Sequence, residues 1–165
     1  MKTKKLITII ILSIFLSNCS NIKPDDKMAT EETIAIAEEV PIEVSLFNRL
    51  GGEEGISAIV DDIVKAHLVN PDIKHVFMPL ADDAAKLESF KIHVKEFLSA
   101  GTGGGATYTG KDLPTAHKGL NTTEKEFLSA TDDILLVLSN HSIDEETKKD
   151  MLYILYSMKG AVIGK

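Results

Sequence analysis

Tryptophan is absent from the 165 residues, cysteine occurs once at Cys19, arginine once at Arg49, and aromatic side chains make up only 5% of the chain. One cysteine rules out a disulfide framework. A single arginine in a chain of net charge -7 argues against nucleic acid as a partner, because a domain that releases phosphate counterions carries a surplus of lysine and arginine on one face. No apolar run reaches the roughly 20 residues of a comfortable membrane span; the longest, Leu6 to Leu16, stops well short. Large polar tracts are also missing. What remains is a chain of 44% hydrophobic residues, enough for one domain around one core.

The first segment reads as an export signal. Lys2, Lys4 and Lys5 precede the apolar run, which is the layout of a secretory leader. Cys19 follows directly on Leu16-Ser17-Asn18, and this resembles a bacterial lipobox, in which signal peptidase II cuts before the cysteine and the thiol carries lipid. Asn18 departs from the pattern, which prefers Gly, Ala or Ser there; a cut elsewhere would leave Cys19 as an incidental thiol. The resemblance implies a signal peptide over 1–18, an anchor and flexible acidic tether over 19–42, and a domain over 43–165, exported and held on the periplasmic or cell-surface side of a membrane. Removing residues 1–18 takes away three lysines and no acid, so the charge falls from -7 to -10. Anionic headgroups repel such a surface, and the lipid on Cys19 must hold it.

From Ser45 onward the hydrophobic period is helical. Ile56, Ile59, Val60, Ile63, Val64 and Leu68 recur at spacings of three and four, bounded by Gly51-Gly52 and Asn70-Pro71. A second helix is expected over about 82–100 with Leu87, Phe90, Val94 and Phe97 on one face. A third opens at Thr123 with a capping box to Glu126, and a fourth at Ser142 with Glu145 three residues on. No strand pattern competes, so the fold class is all-α with four main helices.

The longest irregular stretch, Gly101 to Leu120, holds Gly105-Ala106-Thr107-Tyr108-Thr109-Gly110-Lys111-Asp112, one letter away from a phosphate loop. Such a loop needs a buried strand before it and a Ser or Thr after the lysine. Here a helix precedes it and Asp112 sets a negative charge at the Ser/Thr position, which excludes nucleotide binding on context.

Leu46-Phe47-Asn48-Arg49-Leu50-Gly51-Gly52, Val60-Asp61-Asp62, Asn70-Pro71, Phe77, His93-Val94-Lys95-Glu96-Phe97-Leu98, Gly103-Gly104, Tyr108-Thr109-Gly110-Lys111-Asp112 and Ala116-His117 follow one another in an order and spacing that resemble a group I truncated haemoglobin. The resemblance covers about residues 45–163. It implies a two-on-two helical sandwich, a b-type haem (iron protoporphyrin IX) between the helices, and the glycine run as the hinge before a short helical segment carrying the proximal iron ligand, His117. A neutral imidazole suits that role. By the same resemblance Phe77 packs on the porphyrin face. Tyr108 either reaches a haem propionate or stabilises the hinge.

The distal side departs from the family pattern. Val64 stands where the family usually places a tyrosine and Val94 where glutamine is frequent, so the usual donors to bound gas are missing. His93, beside Val94 and three residues after Phe90, corresponds to a histidine that binds iron in some cyanobacterial relatives; the alternative is a side chain turned to solvent or to a propionate. His67 reads as a helix-end or rim residue, and His75 and His141 as solvated. The resemblance implies reversible binding of oxygen, NO or CO in an apolar pocket lined by Val64, Phe77, Phe90 and Val94. A six-coordinate haem for electron transfer or sensing, and nitric oxide dioxygenation, are the alternatives; the latter needs an electron donor that the sequence does not name. A haem-free helical lipoprotein whose phenylalanine-rich cleft takes a partner or lipid is a blander reading. No catalytic residue is assigned, and gas or haem binding ranks above a dedicated enzyme.

Overall fold

A computed structural model describes residues 44–165. The proposed signal peptide, Cys19 and the tether lie outside the described residues. Within them the order is α1 (Leu46–Arg49), α2 (Gly52–Val69), α3 (Lys74–Ala81), α4 (Ala84–Thr102), α5 (Leu113–His117), α6 (Glu124–Asn140) and α7 (Glu145–Val162), with no strand among the described residues. The four long helices are the four expected from periodicity. None of the described helices is long and apolar enough to cross a membrane.

Three of the four long helices, α4, α6 and α7, start where a side chain takes orphan amides of the first turn, whereas α2 opens after Gly51 with no side-chain cap. Thr123 and Glu126 form the reciprocal capping box at α6. Asp83 accepts from the amides of Ala85 and Lys86 at the start of α4. The start of α7 differs from the sequence reading: Asp144 is the cap, accepting from the Thr147 amide, whereas Ser142 sits at φ 58° in the turn before it. A serine in the left-handed region cannot open a helix, so the first turn begins two residues later. Helix α4 stops at Gly103, whose φ of 95° is the left-handed exit that favours glycine.

Helix α2 is the spine, packed against α4 on one side and α6 on another, while α6 pairs with α7 and α5 lies on α7. Leu50, Ile56, Ile59, Val60 and Ile63 meet Val137, Leu138 and Met151 in one core cluster. Arg49, the chain's one arginine, ties α1 to α7 by donating to Thr147 Oγ1 at 3.2 Å and pairing with Asp150. Close approach sets the α4 end: a Cβ on Gly104 would lie 2.3 Å from Phe47 and 2.4 Å from Ser99 Oγ. Helix α3, which the sequence reading did not include, contains Pro79. In so short a helix the missing amide costs a single backbone bond.

Candidate functional site

The loop between α4 and α6 is built to hold His117 in place. Glu96 on α4 accepts from the Thr109 amide at 2.9 Å and its hydroxyl at 2.7 Å, and these two bonds hold its carboxyl below the usual carboxylate range. The Tyr108 hydroxyl donates to the Lys111 carbonyl at 2.6 Å, closing the turn. Asp112, which disqualifies the loop for phosphate, caps α5 by accepting from the Thr115 amide at 2.8 Å, and Pro114 occupies the first turn. Beyond α5 the amides of Gly119 and Asn121 donate to the Lys165 carbonyl at 2.9 and 3.0 Å, which fixes the far side of the turn.

His117 is half-buried, with Nδ1 2.8 Å from the Leu113 carbonyl one helical turn earlier. A carbonyl only accepts, so Nδ1 carries the proton and Nε2 is left with a bare lone pair. That is the tautomer and orientation a metal-ligating imidazole requires.

Two adjoining cavities share His117, Phe90, Val94, Phe97 and Ala116. The larger, of about 610 Å³, is also lined by Val64, Phe77, Phe127, Met158 and His67. The smaller, of about 290 Å³, adds His93, Tyr108, Lys111 and Leu113. Of the expected site residues, Val64 and Phe77 line the larger cavity, His93 and Tyr108 the smaller, and Phe90, Val94 and His117 both. Tyr108 and His93 stand in the smaller cavity, their rings 6.4 Å apart and nearly perpendicular. Phe77 stands edge-on to Phe90 at 6.0 Å.

One histidine was read only half correctly: His67 does lie in the last turn of α2. His67 is no rim residue: it is 5% exposed, lines the larger cavity and lies 4.7 Å from the Phe77 ring. Its Nδ1 is 3.0 Å from Asp133 Oδ2, and the Asn70 side-chain amide donates to that same oxygen at 2.8 Å and to Ser129 Oγ at 3.0 Å. Burial pushes the imidazole pKa down, against the pull of Asp133. Two further histidines pair with acids. His75 stays largely in solvent beside Glu126, as expected, but His141 is only partly exposed and meets Asp62 at 2.9 Å.

A helical sandwich that sets His117, its Nδ1 tied to a carbonyl, beside a mostly apolar cavity of about 610 Å³ has the layout of a haem-binding globin. The bacterial-like globin family model matches residues 45–163. The chain belongs to that family, and its cofactor is haem. It is 28% identical over 137 residues to a group 1 truncated hemoglobin of Chlamydomonas moewusii, covering 82% of this chain and 76% of that protein. It is 31% identical over 108 residues to the group 1 truncated hemoglobin GlbN of Synechocystis sp., covering 62% of this chain and 82% of that one. Among solved structures, the truncated hemoglobin of Tetrahymena pyriformis in its Fe(III) form superposes with a TM-score of 0.67 at 22% identity, covering 74% of this chain and all of that one. The 2/2 hemoglobin of Synechococcus sp. in the cyanomet state, with covalently attached heme, gives 0.61 at 22% identity, covering 70% and 94%. The two-on-two fold expected from the sequence is the fold observed.

The residues present fit the cofactor. The free Nε2 of His117 could ligate iron, the phenylalanines and Val94 would give the ring apolar contact, and Lys111 in the smaller cavity would give a haem's carboxylate groups a cation.

Proposed function

We propose that the protein reversibly binds a diatomic gas, oxygen, NO or CO, with His117 as the proximal ligand. The observation that carries this reading is the His117 geometry: Nδ1 locked on the Leu113 carbonyl and Nε2 left free beside both cavities. Bound haem would supply the iron that takes the gas. The chain supplies the rest. Val64, Phe77, Phe90 and Val94 line the pocket with apolar surface, which favours a weakly polar diatomic ligand over water. Neither valine can donate a hydrogen bond, and losing a donor to a partly charged ligand is worth roughly 1.5 to 3 kcal/mol, about tenfold to over a hundredfold in dissociation rate. Weak retention of oxygen follows. Replacing His117 by alanine tests the assignment, because that variant should lose haem.

A second reading rests on a specific observation: His93 and His117 line the same small cavity. In that case His93 is a sixth ligand and the protein serves electron transfer or sensing. The ferric chain is then low spin without added ligand and becomes high spin in His93→Ala. A high-spin ferric wild type removes this reading. Nitric oxide dioxygenation requires a reductant, and no feature of the described residues identifies one.

The same proposal places the domain at an extracytoplasmic membrane face through lipid on Cys19, supported by the basic and apolar leader and by Leu16-Ser17-Asn18-Cys19. Metabolic labelling with a palmitate analogue should mark the wild type and not Cys19→Ser; equal labelling of the two would exclude the anchor.

A further inference from the structure

Helix α3 gives the larger cavity one wall, with Val76, Phe77 and Leu80, and the wall from the α5–α6 turn and α6 carries Leu120, Glu126 and Phe127. These walls are not packed together: α3 lies on α2 and α4 and not on α6. Among the described residues a single ion pair joins α3 to α6, with His75 Nε2 3.1 Å from Glu126 Oε1. The imidazole is 63% exposed and the carboxylate 19%. Glu126 thus belongs to the cavity lining while its partner stands in solvent, and the pair spans the outer edge of the cavity.

The carboxylate is held ready by the start of its own helix. Glu126 Oε2 accepts from the Thr123 amide and hydroxyl, each at 2.7 Å, which leaves Oε1 to face His75. Those bonds keep the carboxyl below the usual carboxylate range, so it stays ionised over the pH span in which a histidine changes charge. Other charges around the pair are already matched or lie in solvent: Lys125 of α6 pairs with Asp72 at 2.7 Å, and Lys74, on the same helix as His75, is exposed. On the helices beneath α3, His67 faces Asp133, and Lys91 and Lys95 face Asp61. The attraction across the gap is therefore set by the imidazole. From this geometry we infer that His75 and Glu126 form a latch across the mouth of the haem cavity, closed as an ion pair while His75 is protonated and loosened as it becomes neutral, so that mildly acidic solution slows cofactor exchange. The inference rests on haem occupying the larger cavity. Its sign follows from the pairing: the contribution is full below the pH at which the imidazole titrates and is lost as pH rises through it.

The test uses the haem-loaded full-length chain and follows transfer of haem to excess apomyoglobin. At about pH 6, His75→Ala should lose haem about two- to fivefold faster than the wild type, the range open to a partly exposed ion pair. By about pH 8.5 the ratio of the two rates should approach one, and taking the ratio removes the acid-driven loss common to both chains. His75→Lys keeps a cation at both pH values; it should match the wild type at the lower and lose haem more slowly at the higher. Backbone hydrogen exchange reads the latch without any transfer of haem. At about pH 6 the amides of residues 76–81 should exchange faster in His75→Ala, while those of α7 stay unchanged. A His75→Ala variant with wild-type haem loss overturns the proposal, whatever its hydrogen exchange. So does an acceleration of equal size at both pH values, because the bulk of the ring and not its charge would then be responsible. Failure of the haem reading shows separately, as an absent Soret band in the wild type.

Discussion

Replacing Asp133 by alanine removes the acceptor of two side-chain hydrogen bonds, from His67 Nδ1 at 3.0 Å and from Asn70 Nδ2 at 2.8 Å. The carboxylate side chain is 16% exposed and the imidazole 7%, so solvent cannot take over as acceptor for the histidine. A hydrogen bond to a charged group contributes about 1.5 to 3 kcal/mol, and orphaning a buried donor incurs its full desolvation cost. Asn70 keeps Ser129 as a partner, which offsets part of its loss. The net destabilisation should be about 2 to 4 kcal/mol, or a fall of about 8 to 16 °C in Tm for a domain of this size. Thermal unfolding followed by far-UV circular dichroism, at equal haem saturation so that cofactor linkage cancels, measures it. The exposed neighbour gives the control: Asp132→Ala should stay within about 0.5 kcal/mol. Combined with His67→Phe, Asp133→Ala should show a coupling of at least about 1 kcal/mol. An Asp133→Ala variant as stable as Asp132→Ala, or a strictly additive cycle, would refute the buried-pair reasoning.

Two further outcomes follow from the same structure. Gly104→Ala forces a methyl group into Phe47 and Ser99 and should destabilise by about 1 to 3 kcal/mol in chemical denaturation, whereas Gly101→Ala, where a Cβ meets nothing within 4 Å and the backbone is helical, should be neutral or stabilising. The pH dependence of stability carries the signature of His67. Because burial lowers its pKa in the fold, the unfolded chain binds more protons below the unfolded value of about 6.5; the neutral imidazole's contribution is therefore full above that pH and lost as pH falls through the folded value. Tm should drop between pH 7.5 and roughly pH 5 in the wild type and drop less in His67→Phe; identical profiles would contradict the buried neutral state.

The long helices were legible because their apolar residues recur at three and four and their caps are local: Thr123 and Glu126 lie three apart in sequence. The slot was legible through an ordered set of residues along the chain, ending at His117. The start of α7 was misread because Ser142 and Glu145 mimic a capping box, while a left-handed turn, invisible in composition, moves the cap to Asp144. His67 had a signal that went unused. It continues the stripe Val60, Ile63, Val64 at the same spacing and so belongs to the buried face of the helix end, not to the rim. Its partner Asp133 lies 66 residues away on another helix, and no local pattern links the two.

The absorption spectrum of the purified full-length chain, titrated with haem, bears on the central claim more directly than any other measurement. The account predicts a Soret band that saturates at one haem per chain and is lost or greatly weakened in His117→Ala, which removes the imidazole whose Nδ1 is tied to the Leu113 carbonyl. A His117→Ala variant that takes up haem with unchanged affinity and an unchanged spectrum would contradict it.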